Sequence, residues 1–67
     1  MSKKNYVSIA NTLRYYYLRV IASNDEYAII TIKNMIDDFA YYFEIDNPRF
    51  DRNKFYEACG YSTIQAV

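Results

Sequence analysis

Residues 6–20 read Tyr6-Val7-Ser8-Ile9-Ala10-Asn11-Thr12-Leu13-Arg14-Tyr15-Tyr16-Tyr17-Leu18-Arg19-Val20, and the spacing of their apolar members decides the fold class. Tyr6, Ile9, Ala10, Leu13, Tyr16, Tyr17 and Val20 recur at helical intervals, which gathers them onto one face at about 100° per residue. The stretch predicts a helix over about residues 4–22. A rival reading takes Tyr15 to Ile21 and Tyr27 to Ile32 as strands on their β-branched and aromatic content. Neither segment alternates strictly, and the helical stripe runs past the ends of both.

Working outward, Ser23-Asn24-Asp25-Glu26 interrupts the stripe with side chains that cap helix N-termini and with acids suited to the helix dipole. A second helix is expected over about residues 25–44, burying Ala28, Ile29, Ile32, Met35, Ile36, Phe39, Ala40 and Phe43. So short a break implies an antiparallel hairpin. Further along, Pro48 restricts Asn47 to extended conformations, which makes Asp46-Asn47-Pro48-Arg49 a rigid turn. Asp51 can cap a third helix over about residues 52–59, with Phe50 stapled against Phe55 and Gly60 supplying a left-handed stop. The expected fold is a single all-α domain over residues 1–67, in which this short C-terminal helix folds across the hairpin and buries Phe55, Ala58 and Cys59. Residues 62–67 are expected to fray.

Composition agrees with helices. One glycine and one proline in 67 residues supply too few turn residues for a many-stranded sheet. A chain this short sits near the size at which a lone core only just outweighs chain entropy. Its single cysteine, Cys59, cannot form an internal disulfide, and without histidine there is no zinc site of the usual Cys/His kind. No secretory leader or membrane-spanning run is visible, so a reducing, cytoplasmic setting is expected.

The formal net charge is zero, but its distribution is uneven. Residues 1–24 hold Lys3, Lys4, Arg14 and Arg19 with no acid, whereas residues 25–46 hold six acids against Lys33 alone. Two adjacent helices of opposite charge suit one another.

The segment Phe43-Glu44-Ile45-Asp46-Asn47-Pro48-Arg49-Phe50-Asp51-Arg52, followed by Phe55 and Ala58-Cys59-Gly60, resembles a motif of small uncharacterised bacteriophage and mobile-element proteins that end in D-N-P-x-F-D-R-x-x-F-x-x-A-C-G. The resemblance covers about a quarter of the chain closely. It implies a phage or mobile-element origin and, by class, a protein that binds and redirects a host protein. Pro48, Phe50, Asp51, Phe55 and Gly60 are also the residues required by the turn, the staple, the cap and the stop, so the motif has a structural reading.

Chemistry of the catalytic kind has little to draw on. General acid–base and nucleophilic catalysis rely on a positioned histidine, an activated cysteine or paired carboxylates in a cleft. Asp37 and Asp38 are sequence neighbours that diverge on a helix. Cys59 lies on the buried face of its helix, and no glycine-rich phosphate loop or metal-ligand spacing occurs. The expectation is a non-enzymatic protein with no cofactor, metal or small-molecule substrate.

Nine tyrosines remain to be explained, and several apolar residues fall outside the stripes. On the first helix Tyr15 lies opposite the core and Leu18 with Val7 to one side, and on the second Tyr27, Ile30 and Tyr41 lie around the outer face with Asn34, which leaves a further apolar surface. Tyrosine and arginine are enriched where proteins meet, and Tyr15 with Arg19 forms an i,i+4 pair. Tyr15, Leu18, Arg19, Tyr27, Ile30 and Tyr41 are therefore the expected protein-interaction residues, for a partner protein or a second copy. The alternative is a nucleic-acid accessory factor using the basic first third and its stacking tyrosines. Arg14 and Arg19 diverge by about 140° on a helix, which disfavours it.

Overall fold

In the computed structural model, which describes residues 2–61, the chain forms three helices: α1 (Lys3–Ser23), α2 (Glu26–Asp46) and α3 (Arg52–Ala58). The expected tail at residues 62–67 lies outside the described residues. At about 1.5 Å of rise per residue the two long helices account for the 34 Å long axis of the molecule. α1 and α2 pack together, and α3 contacts both.

The junctions follow from side-chain chemistry. Asn24 ends α1 in the left-handed region at φ 61°, one of the few residue types that enters it readily, and its N–H donates to the Ile21 carbonyl at 3.2 Å. Asp25 then starts α2, its Oδ1 accepting from the backbone N–H groups of Tyr27 at 3.1 Å and Ala28 at 3.2 Å. With one residue ending α1 and the next starting α2, the chain reverses, which produces the antiparallel hairpin.

α2 continues to Asp46, two residues beyond the expected end, because the residue that stops it is Asn47, held extended at φ −143° ahead of Pro48. The Asn47 side chain accepts from the Arg49 N–H at 3.1 Å, and its carbonyl accepts from the Phe50 N–H at 2.9 Å. These two bonds make the turn rigid and aim Phe50 inward. Asp51 Oδ1 accepts from the Lys54 N–H at 3.1 Å, so the expected cap of α3 is formed. At the other end Gly60 adopts φ 77°, the Gly60 N–H reaches the Glu57 carbonyl at 3.0 Å and the Tyr61 N–H reaches the Tyr56 carbonyl at 2.9 Å. This is a Schellman stop, and it ends α3 one residue earlier than expected.

The core is aromatic at the open end of the hairpin. Phe43 stands within 4.8–5.4 Å, centroid to centroid, of Tyr6, Phe50 and Phe55, each from a different element. Tilted and edge-on contacts of this kind add to the burial of the rings themselves. Farther along, Ala10, Ile36, Ala40 and Cys59 are fully enclosed.

Three burial expectations are corrected. Tyr16 is 54 % exposed and Met35 is 44 % exposed, although both lie in the helical stripes. Ala58 is also exposed. The cause is common to the first two: α3 covers one flank of the hairpin, and Tyr16 and Met35 sit at the outer edges of stripes wider than two neighbouring helices can cover. Tyr56 takes the place expected of Ala58, at 8 % exposure. α3 lies in the crevice between two helices and so is covered on two sides, one through Phe55 and the other through Tyr56.

Candidate functional site

Along α2 the positions Tyr27, Ile30, Asn34, Asp38, Tyr41 and Ile45 succeed one another at intervals of three and four and are all exposed. They form one outward stripe about 27 Å long, directly opposite the buried positions Ile32, Ile36 and Ala40. Tyr27 at 86 % and Ile45 at 63 % are the most exposed of its apolar members. Ile45 was not anticipated because the helix was expected to stop at Glu44; once α2 runs to Asp46, Ile45 falls on the stripe. Tyr42 packs edge-on against Tyr41 at 5.7 Å and widens the surface toward Met35.

The expected residues of α1 are exposed as well, but elsewhere. Arg19 Nη1 donates to the Tyr15 hydroxyl at 2.8 Å and its guanidinium carbon lies 5.4 Å from the Tyr15 ring centroid, so the i,i+4 pair forms. Tyr16 meets Tyr15 edge-on at 5.1 Å. Tyr15, Leu18 and Arg19 lie on the sides of α1 turned from the core, and Tyr27, Ile30 and Tyr41 on the side of α2 turned from it. The six expected interaction residues therefore form two separate surfaces. Arg14 packs its stem beside Gly60, away from Arg19, so the basic residues of the first third do not form one patch.

A third feature had no counterpart in the sequence reading. Between α1 and the turn that leads into α3 lies a groove of about 350 Å³. Tyr6, Val7, Ala10, Phe50, Phe55 and Ala58 supply its apolar floor and walls. Its mouth carries Lys3, Arg49 and Lys54 together with Asp51. The groove explains the exposure of Ala58, which is part of the wall. The signal that could have found it is the placement of Arg49 and Lys54 on either side of the Phe50 staple; their meeting with Lys3 is a product of the tertiary fold.

Burial raises three groups, Cys59, Tyr17 and Tyr56, above their ordinary values. Cys59 is fully buried and desolvation pushes its thiol up to about 11, which makes it a poor nucleophile. Burial raises the Tyr17 hydroxyl, with Tyr61 nearby adding to the effect. Burial also raises Tyr56, against the opposing influence of Arg52, whose Nη2 donates to its hydroxyl at 2.9 Å. Arg52 further reaches Glu44 at 3.5 Å, tying α3 to α2.

Among the described residues no group of three or more His, Cys, Asp or Glu side chains is placed to hold a metal ion, and no helix is long and apolar enough to cross a membrane. Comparison with known protein families, curated proteins and solved structures finds no match for this chain.

Proposed function

We propose that this chain is a non-enzymatic helical interaction module that binds another protein through the outer stripe of α2. In this reading it is a small phage- or mobile-element-encoded protein working in the cytoplasm, where it engages a host protein or a second copy of itself. The observation that carries the reading is the alignment of Tyr27, Ile30, Tyr41 and Ile45 on one exposed helix face, as two apolar pairs with Asn34 and Asp38 between them. Scattered exposed apolar residues are ordinary, but apolar residues aligned at helical spacing on the side of a helix away from its own core are the anchors by which helices recognise grooves and other helices.

Tyrosine suits such a face because it offers a large, rigid, amphipathic contact area at a modest loss of rotamer entropy. Asn34 and Asp38 interrupt the stripe and keep it soluble when unpartnered. The separate Tyr15–Arg19 pair on α1 offers a second, smaller contact.

The test is co-purification of tagged wild-type protein and of the Tyr27→Ser/Ile30→Ser/Tyr41→Ser variant, each expressed with a differently tagged second copy in the native host. The reading requires a protein, or the second copy, that the wild type retains and the equally folded variant loses. Identical recovery by both would dismiss it.

A further inference from the structure

The geometry points to the groove between α1 and the Asn47–Lys54 segment as a docking site for an acidic peptide segment of a partner protein, one that inserts a large apolar side chain and presents carboxylates to the rim. This rests on the interaction reading above and names a partner chemistry for a surface distinct from the α2 stripe. The argument starts from charge. The chain as a whole is neutral, yet the groove is lined by Lys3, Arg49 and Lys54 against Asp51, with Asp46 beside it accepting from the Tyr6 hydroxyl at 3.4 Å. The Asp51 Oδ1 already accepts from the backbone N–H of Lys54. Among the described residues none of these three cations has an ion-pair partner, so their charge is not offset within the groove; Arg52, outside it, reaches Glu44 at 3.5 Å.

The interior of the groove fixes the other half of the chemistry. Val7 is 47 % exposed and Ala58 is exposed, and both line the wall above the Phe50 and Phe55 rings. An inserted side chain covers this surface and gains the usual apolar burial. A volume of about 350 Å³ falls at the small end of ordinary ligand pockets, enough for one or two side chains. An inserted hydrocarbon side chain suits the groove better than a nucleobase, because its floor and walls are the apolar Tyr6, Val7, Ala10, Phe50, Phe55 and Ala58, which offer nothing to the polar edge of a base.

The experiment is a titration of ¹⁵N-labelled full-length protein, followed by amide chemical shifts, with an end-blocked hexapeptide of two leucines between pairs of glutamates. Parallel titrations use the glutamine-flanked and lysine-flanked versions, the glutamate-flanked version with serines for leucines, and hexathymidylate. The proposal predicts shifts at Val7, Ala10 and Ala58, and binding of the glutamate peptide about three- to tenfold tighter than of the glutamine peptide. It also predicts loss of binding by the serine peptide and, in the Arg49→Glu/Lys54→Glu variant, a reversed preference for the lysine peptide. Equal affinity for the glutamate and glutamine peptides, or no shift in the groove, overturns it. Stronger groove binding by hexathymidylate overturns it in favour of nucleic acid, and the same shifts on concentrating the protein alone overturn it in favour of a second copy. Shifts confined to Tyr27, Ile30 and Tyr41 overturn the groove while leaving the α2 reading intact.

Discussion

The rings of Phe50 and Phe55 lie 5.5 Å apart across the Asp51 cap of α3, and Phe50 also meets Tyr6 at 4.9 Å and Phe43 at 5.4 Å. A local staple therefore doubles as the joint between the first helix, the second helix and the third. Phe50→Ala is expected to destabilise the domain by about 2–4 kcal/mol, toward the lower figure because the ring is only partly buried. Urea unfolding followed by circular dichroism checks this, and an unchanged midpoint would show that the joint contributes nothing.

Gly60 tests the stop of α3 separately. A Cβ there would meet only ordinary contacts, the nearest being Arg14 Cγ at 3.5 Å, so the cost of substitution is conformational and not steric. Gly60→Ala should lower stability by about 1 kcal/mol, and Gly60→Asn by less, because asparagine tolerates the left-handed region. The order of the two melting temperatures is the readout, and equal values would contradict the left-handed assignment.

Asp25 and Asp51 each cap a helix through Oδ1. Asp25→Ala and Asp51→Ala should each cost about 1 kcal/mol, with asparagine at either position restoring most of it. Thermal melts of the four variants decide the matter; alanine and asparagine behaving alike would show that the side-chain oxygens are not acting as caps.

Alkali should probe Cys59. Its folded-state pKa of about 11 lies above the ordinary value of 9.0 because burial disfavours the thiolate. The stability tied to keeping it protonated is fully present below about 9 and is lost as the pH rises through about 11. Tyr17 and Tyr56, both raised by burial, act in the same direction at alkaline pH. Native protein at neutral pH should leave Cys59 unreactive to a thiol-specific disulfide reagent until it is unfolded, and prompt labelling of the folded chain would show the thiol to be accessible.

Much of the architecture can be read from local spacing because helix periodicity, the Asp25 and Asp51 caps, Pro48 and Gly60 all act within a few residues of themselves. What depends on how helices meet is not contained in that spacing. Tyr16 and Met35 belong to their stripes by angle, yet only two neighbours exist to cover each helix, so the stripe edges stay exposed. Tyr56 is buried through its ring while its hydroxyl accepts from Arg52 at i−4, a pairing whose spacing is visible in the sequence but whose burial depends on the crevice between α1 and α2. Likewise, Tyr15, Leu18, Arg19, Tyr27, Ile30 and Tyr41 could each be recognised as outside the core, but their division between two surfaces follows only from the hairpin. The groove was hidden for the same reason, since Lys3 is more than forty residues from Arg49 in the chain.

The central claim is that the outer stripe of α2 touches another protein in the cell. The most direct measurement places a photo-crosslinking phenylalanine analogue at Tyr27 or Tyr41, and at exposed Asn53 on α3 as the control, and irradiates living host cells. The account predicts a discrete crosslinked protein from the two α2 positions and none from the control. Absence of any adduct at Tyr27 and Tyr41, or the same adducts from all three positions, would contradict it.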